Sequence, residues 1–406
     1  MSRRNIIPII LIGILIVITI AALAYFGYLI YRNVSQPAEG ITISPFPPQI
    51  SPTPEFTPTP YAFAGGPPNT IRLMWFSKPP LDGDLQTIAE NFDLIILTQN
   101  DENALAELRR LGYTDGVPQY FRLDAIKDPG NCTEDPPGNQ AAYYAGDFCQ
   151  ISQNHPDWFL LDYRGERIYD GGSGSGYVFM DPGNPEWRQF FLQRVKESQE
   201  RHGYYGVFLD NVDASLARYE RKASRLKDYA NDAQFQAAVE GFLQFLYQNY
   251  FQPQGRPLLA NIVANRNFEP WFRYLEYLDG AMDEGWGVGW TDEYYSAAEW
   301  DEQLARAEST QGRGKFALLV SSGRRNDLAR QQFAFASYLL INHGRAFFRY
   351  AHSDSYREIW LYSNYYLDLG TPLGVRYRDG DVWRRDFSKG SVIVNPFTHE
   401  VEFIVP

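Results

Sequence analysis

The sequence predicts an α/β fold in which a (β/α)8 TIM barrel is followed by a small C-terminal β-module. Short apolar runs recur between helical patterns along most of the chain after residue 70. Most of these runs lack polar alternation, as expected for strands buried on both faces. Repeated strand–helix–strand order implies parallel strands with right-handed crossovers. A doubly wound open sheet is the alternative, but such sheets usually carry a nucleotide-binding loop, and the sequence has neither a GxGxxG motif nor a P-loop.

The predicted elements follow one another in a regular order. The eight barrel strands are predicted at Ile71–Phe76, Leu94–Thr98, Val117–Arg122, Gly206–Asp210, Leu258–Ile262, Leu278–Met282, Phe316–Val320 and Ala346–Tyr350, with a further short strand at Tyr177–Met180. One helix is clearly delimited: Asn184 is a good cap, Pro185 suits the first turn, and Gly203 ends it. After residue 370 a hairpin that turns at Asp379-Gly380 and two later strands, Ser391–Asn395 and Val401–Val405, predict the β-module.

The N-terminal part of the sequence predicts a membrane anchor on a stalk. The run from Ile6 to Tyr31 has no charge and is long enough to span a hydrocarbon core of roughly 30 Å. Arg3 and Arg4 precede it, which favours a cytoplasmic N-terminus. A cleaved signal peptide is the alternative, because Ala22–Ala24 resembles a cleavage site, but the apolar run continues past it.

Composition divides the chain into four segments and excludes several classes of function. We assign residues 1–32 to the transmembrane anchor, 33–70 to a Pro/Thr/Ser-rich linker with ten of the 26 prolines, 71–370 to the barrel and 371–406 to the β-module. The net charge is -12, which argues against binding nucleic acid. Five scattered His and two Cys are too few for a zinc ribbon or an iron–sulfur cluster, so we expect no metal or organic cofactor.

The two cysteines lie in a loop-like part of the sequence. Cys132 and Cys149 are separated by a stretch rich in Gly, Pro and Asn, and no CxxC motif is present. Outside the cytoplasm the natural interpretation is one disulfide that pins a long loop. Two unpaired thiols are the alternative. The expected location is therefore the cell membrane, with a single span and the barrel on the extracytoplasmic side.

Carboxylates at strand ends are the candidate catalytic groups, because reactive residues of such barrels lie at the C-terminal ends of strands. The fourth strand ends in Asp210, with Asn211 and Asp213 beside it, and the sixth ends in Asp283-Glu284. Each acid could instead cap a helix or form an ion pair.

Aromatic and amide side chains near these strand ends are candidates for substrate binding. Trp286 and Trp290 follow the sixth strand, Asn261 lies at the end of the fifth, and Trp75 closes the first. Acids together with aromatic rings suit sugar binding, since carboxylates bind hydroxyl groups and rings pack on apolar sugar faces. Core packing is the alternative for the tryptophans, and a structural amide is the alternative for Asn261.

Several segments resemble the TIM-barrel glycoside hydrolases related to the polygalactosaminidase-like and α-galactosidase-like barrels. The matching segments are His155–Phe159, Phe179–Arg188, Gly206–Asn211 and Trp383–Pro396. The resemblance implies that the strand-four residue Asp210 is the nucleophile and that a strand-six carboxylate, Glu284 or Asp283, is the acid/base. It also brings Asp181, in the second segment, among the expected substrate-binding residues.

The predicted function is that of a membrane-anchored, extracytoplasmic glycoside hydrolase that cleaves a polysaccharide or oligosaccharide with two carboxylates. Asp210 would attack the anomeric carbon and Glu284 would protonate the leaving oxygen. Nearby Trp286 would desolvate Glu284 and raise its pKa. A non-catalytic carbohydrate-binding barrel on a stalk is the alternative, and the distance between the two carboxylates distinguishes them.

Overall fold

The described part of the chain contains the barrel and the β-module. A computed structural model describes residues 66–67, 71–264, 268–290 and 292–405. The predicted anchor and nearly all of the predicted linker lie outside these residues. Within them, no helix combines the length and the apolar character that crossing a membrane requires.

Eight parallel strands close into a barrel. They are β1 Met74–Trp75, β2 Leu94–Ile95, β3 Gln119–Arg122, β4 Val207–Asp213, β5 Leu258–Val263, β6 Gly280–Asp283, β7 Phe316–Ser322 and β8 Ala346–Ala351. Strands β3 to β8 form one parallel sheet in chain order, and β1 pairs with β2. Parallel bridges from Leu73 to Phe348 and from Leu97 to Gln119 close the ring. The predicted (β/α)8 barrel is therefore confirmed, and each of the eight predicted runs contains or overlaps one strand.

Helices surround the barrel. They are α1 Leu85–Asn91, α2 Glu102–Arg110, α3 Asp147–Asn154, α4 Pro185–His202, α5 Ala217–Ala223, α6 Asp232–Leu246, α7 Phe268–Leu275, α8 Ala297–Gly312 and α9 Leu328–Ile341. Helix α6 is extended by a π-helical turn, Tyr247–Phe251, and a short helix, Gln252–Gln254. Turns of 3-10 helix lie at Pro156–Trp158, Ser353–Ser355 and Ser363–Tyr366. Helix α4 begins and ends as predicted. The Asn184 side chain accepts hydrogen bonds from the first-turn amides of Glu186 and Trp187, and Gly203 adopts the left-handed conformation with φ 73°.

Residues of the barrel strands alternate between two environments. The inward side chains form one apolar cluster, which includes Phe208, Leu259 and Met282. Their sequence neighbours belong instead to clusters between the strands and the helices. Because side chains of a strand alternate with period two, the inward position that follows each of these three residues is Asp210, Asn261 and Glu284, respectively. The apolar interior thus gives way to polar groups at the C-terminal mouth.

A long connection joins β3 to α4. It contains a three-stranded antiparallel sheet made of Ala125–Lys127, Tyr177–Phe179 and Tyr169–Asp170, as well as helix α3. Cys132 and Cys149 are bonded to each other in this connection, as predicted. The middle strand of the small sheet is the short strand predicted at Tyr177.

The C-terminal residues form an antiparallel sheet that packs on α9. Its strands are β9 Tyr377–Asp379, β10 Val382–Phe387, β11 Gly390–Val394 and β12 Val401–Ile404, paired in that order. The hairpin turns one residue later than predicted, because Asp379 pairs with Val382 and leaves Gly380-Asp381 as the loop. The Arg385 guanidinium donates hydrogen bonds to the carbonyls of Leu339 and Asn342 at 2.9 and 2.8 Å, which attaches the sheet to the end of α9.

Candidate active site

A β-bulge near the end of β4 positions Asp210. The register between β4 and β5 shifts so that Asp210 and Asn211 both oppose the single residue Asn261. Asn211 has a positive φ of 58°, a conformation that Asn tolerates better than most residues. Its side-chain amide donates to the Asp124 carboxylate at 3.3 Å. Bulges of this kind re-aim side chains beside active sites, and here Asn211 shapes the backbone that presents Asp210 to the cavity.

Asn261 joins the two candidate catalytic carboxylates. Its side-chain nitrogen donates to Asp210 Oδ1 at 3.0 Å and to Glu284 Oε2 at 2.7 Å. Since one nitrogen contacts both oxygens, these oxygens lie at most about 5.7 Å apart. The structure therefore brings together the three residues that the sequence singled out at the ends of strands four, five and six.

Two tyrosines complete the cluster. The Tyr120 hydroxyl donates to Asp210 Oδ2, and the Tyr356 hydroxyl donates to Glu284 Oε1 at 2.9 Å. Burial, followed by the charge of the adjacent carboxylate, raises the pKa of each tyrosine above its ordinary value. Both hydroxyls therefore remain protonated donors at neutral pH.

Neither tyrosine is among the site residues predicted from the sequence. Tyr120 could have been found, because it occupies an inward position on a barrel strand. Tyr356 lies in the connection after β8, where no sequence pattern points to the site.

Glu284 has a strongly raised pKa. Burial and, after it, the charge of Asp210 raise the pKa of Glu284 to about 7, although the hydrogen bonds from Tyr356 and Asn261 act in the opposite direction. A large fraction of Glu284 is therefore protonated at neutral pH, and this fraction rises as the pH falls. A carboxyl group that is protonated near pH 7, beside a second carboxylate, can donate a proton to a leaving group.

Two adjoining cavities meet at this cluster. The smaller, of about 120 Å³, is lined by Asp210 and the two tyrosines over an apolar floor of Phe76, Phe208 and Met282. The larger, of about 380 Å³, is lined by Asp283, Trp290, Tyr295 and Arg306, among others. Asn261 and Glu284 line both cavities, whereas Asp210 lines only the smaller one.

The structure separates the two adjacent acids of strand six. Asp283 faces away from the barrel interior and forms an ion pair with Arg306, whose guanidinium also lies 4.5 Å from the Trp271 ring centroid. Its other carboxylate oxygen accepts from the Gly285 amide at 3.2 Å. Asp283 makes no hydrogen bond with Asp210 or Asn261 among the described contacts, so Glu284 is the acid that faces the nucleophile candidate.

Trp75 and Trp286 do not reach the mouth, contrary to expectation. Trp286 is fully buried and its indole N–H donates to the Ala334 carbonyl of α9 at 3.2 Å. Trp75 is 1% exposed, and its ring supports the Arg349 guanidinium at 4.2 Å. Both rings therefore belong to the packing between strands and helices. Arg349 in turn donates to the backbone carbonyl of Tyr356 at 2.5 Å, so Trp75 acts on the site only indirectly.

Asp213 also has a structural role instead of the expected contact with substrate. It is buried and accepts hydrogen bonds from Arg218 at 3.2 Å and from Tyr219 at 2.7 Å. Burial raises its pKa to about 6 despite the Arg218 charge. Arg218 also pairs with Asp124, so Asp213 belongs to the network behind the bulge.

Asp181 lies outside the cluster as well. It accepts hydrogen bonds from Tyr229 and, at 2.8 Å, from the Gly183 amide, and it stabilises the turn before α4. Within the described parts of the chain, no group of three or more His, Cys, Asp or Glu residues could hold a metal ion.

Several solved structures are similar to this chain at low sequence identity. The glycoside hydrolase domain of PelA from Pseudomonas aeruginosa is 15% identical, with a TM-score of 0.47 over 72% of this chain and 97% of that one. A maltogenic α-amylase from Thermotoga neapolitana is 11% identical, with a TM-score of 0.48 over 81% and 86%. An α-galactosidase from Thermus thermophilus is 14% identical, with a TM-score of 0.43 over 78% and 65%.

No curated protein matches the chain. The model of a family described as "Hypothetical glycosyl hydrolase family 15" matches residues 133–391, which is more than half of the sequence and includes every strand end of the candidate site from β4 to β8. The chain belongs to hypothetical glycosyl hydrolase family 15 and is a hydrolase of glycosidic bonds.

Proposed function

We propose that the protein cleaves the glycosidic bonds of a polysaccharide or oligosaccharide with retention of anomeric configuration, using Asp210 and Glu284. The observation that carries the proposal is the shared donor Asn261, which limits the two carboxylate oxygens to a separation of at most about 5.7 Å. Retaining glycosidases have their carboxyl groups about 5–5.5 Å apart, and inverting ones about 6.5–9.5 Å apart. At the shorter separation there is no room for the water molecule that an inverting enzyme holds between its carboxylate base and the sugar.

In the first step, Asp210 attacks the anomeric carbon while Glu284 gives its proton to the leaving oxygen. The hydrogen bonds from Tyr120 and Asn261 hold both oxygens of Asp210 in a fixed orientation. The glycosyl ester that forms on Asp210 is then hydrolysed by water, from which the Glu284 carboxylate takes a proton. Each step leaves Glu284 in the protonation state that the next step needs.

The raised pKa of Glu284 suits this double role. A general acid works best when its pKa lies near the working pH, and burial raises the pKa of Glu284 to about 7. Because the first step needs the protonated form, activity should fall as the pH rises through this value.

Two matched substitutions test the assignment on a panel of polysaccharides and aryl glycosides. Asp210→Asn should abolish turnover, because the amide keeps the size of the side chain but is no nucleophile. Glu284→Gln should lower rates by about 10²–10⁴-fold for poor leaving groups, with activated aryl leaving groups partly spared because they need little protonation.

Asp283→Asn is the control for the second substitution. Its losses should not depend on the leaving group, because Asp283 is paired with Arg306. Full activity of Asp210→Asn with an unchanged melting temperature would contradict the mechanism. A leaving-group dependence in Asp283→Asn but not in Glu284→Gln would move the acid to Asp283.

We also propose that the enzyme is held at the cell membrane, with the barrel on the extracytoplasmic side. The apolar run from Ile6 to Tyr31 supplies the anchor, and the Cys132–Cys149 disulfide suits an oxidising compartment. Protease added to intact cells should remove the barrel. A mature protein that begins at Tyr25 would contradict the anchor.

A further inference from the structure

The larger cavity beside Glu284 has features of a sugar-binding site that the two-carboxylate mechanism does not use. Trp290 lines it and has 50% of its surface exposed, more than any other of the nine tryptophans. An exposed indole leaves a large apolar surface in water, and such rings pack well on the apolar face of a sugar. The volume of about 380 Å³ falls in the range of roughly 300–1,000 Å³ that is usual for small-molecule sites.

Trp290 lies close to the acid. A Cβ atom added at Gly285, the residue after Glu284, would lie 3.8 Å from Trp290 Nε1 and 2.7 Å from the Tyr295 hydroxyl. The absence of a side chain at Gly285 therefore keeps space open between the acid and the two aromatic rings. Glu284 and Trp290 line the same cavity, so a sugar unit bound on Trp290 would share that cavity with the acid.

The charged groups of this cavity are already paired. Arg306 forms its ion pair with Asp283. The Gln303 side-chain amide is hydrogen-bonded to the backbone: its Nε2 donates to the Gly285 carbonyl at 2.9 Å, and its Oε1 accepts from the Gly287 amide at 2.7 Å. A cavity with compensated charges and an exposed indole suits a neutral sugar better than an acidic one.

The positions of the two carboxylates decide which part of the substrate each cavity takes. Asp210 lines only the smaller cavity, so the sugar that it attacks must lie there. Glu284 lines both cavities. This position suits a group that protonates the oxygen between two sugar units.

We propose that the larger cavity is the subsite for the leaving group and binds a neutral sugar unit against Trp290, so that the preferred substrate is a chain of linked sugars and not a sugar with a small substituent. This inference rests on the proposed function. It adds Trp290 to the two carboxylates, as a residue that determines substrate specificity.

The test compares two substrates of the sugar that the panel identifies: its glycosyl fluoride, whose leaving group is too small to fill the subsite, and its linear trisaccharide. For Trp290→Ala, the ratio of kcat/KM on the trisaccharide to kcat/KM on the fluoride should fall by about tenfold, as expected for the loss of one stacking contact. Trp290→Phe should restore most of the ratio. Tyr366→Ala, which removes another exposed ring, 63% exposed and hydrogen-bonded to Asn91 at the end of α1, is the matched control and should leave the ratio unchanged.

An unchanged ratio in Trp290→Ala, or a fall of equal size in Tyr366→Ala, would overturn the subsite. The proposed function fails by a different result, namely turnover of the fluoride by Asp210→Asn at the rate of the unsubstituted protein. The two failures are therefore distinguishable in one set of measurements.

Discussion

Replacing Glu284 with Gln should change how the stability of the protein depends on pH. Burial and the neighbouring Asp210 charge raise the pKa of Glu284 to about 7, from an ordinary value of 4.5 in the unfolded chain. The folded protein therefore binds this proton more tightly than the unfolded chain does. Below pH 4.5 both states carry the proton and the group has no effect. Between 4.5 and about 7 the free energy of unfolding falls as the pH rises, and above this range the loss is complete.

The size of the loss follows from the shift in pKa. Each pKa unit corresponds to about 1.36 kcal/mol, so a rise of about two and a half units costs the folded state roughly 3 kcal/mol at pH 8 relative to pH 4.5. Gln has no charge to bury. Its amide can still donate to the Tyr356 hydroxyl and accept from Asn261, so Glu284→Gln removes the ionisation with little change in packing.

Urea unfolding followed by tryptophan fluorescence, at several pH values between 4.5 and 8.5, measures this difference. The stability of Glu284→Gln relative to the unsubstituted protein should rise by roughly 3 kcal/mol across this range, with its midpoint between pH 4.5 and 7. Other shifted groups, such as Asp213 with a pKa of about 6, are present in both proteins and cancel in the comparison. Parallel stability profiles for the two proteins would refute the reasoning.

Three further variants test neighbouring parts of the account. Tyr356→Phe removes a hydrogen bond that lowers the pKa of the acid, so the alkaline limb of the pH–rate profile should move to higher pH, and a limb at the same or lower pH would contradict this. Asp283→Asn should lower the free energy of unfolding by roughly 3 kcal/mol in thermal or urea unfolding, because it unpairs the buried Arg306 charge; an unchanged stability would show that the pair is dispensable. Replacing Cys132 and Cys149 with Ser should cost about 3 kcal/mol for a sequence separation of 17, measured in the same way, and unchanged unfolding would remove the disulfide from the stabilising contacts.

The sequence predicts the barrel well because its signal is local. Each strand is a short apolar run, and each run ends where the chain meets solvent, so both the number of strands and their order follow from pattern and connectivity. The same periodicity could have decided between the two acids of strand six. Met282 faces the interior, so Glu284 two residues later faces the cavity, whereas Asp283 faces the helices.

The errors have a common physical origin. Trp75 lies between the inward residues Met74 and Phe76, so alternation alone places it in the packing against the helices. Trp286 and Tyr356 lie in loops, where tertiary contacts decide the direction of a side chain. Trp286 is covered by α9, and Tyr356 is held over the mouth by Arg349. The first segment of the chain stays a prediction, because it lies outside the described residues.

The stereochemistry of the first product tests the central claim most directly. Proton NMR of the reaction, recorded before the released sugar has time to mutarotate, identifies the anomer that the enzyme forms. Two carboxylates that share one donor nitrogen, at 3.0 and 2.7 Å, predict a product with the same anomeric configuration as the substrate. A first product of the opposite configuration would contradict the assignment of Asp210 as the nucleophile.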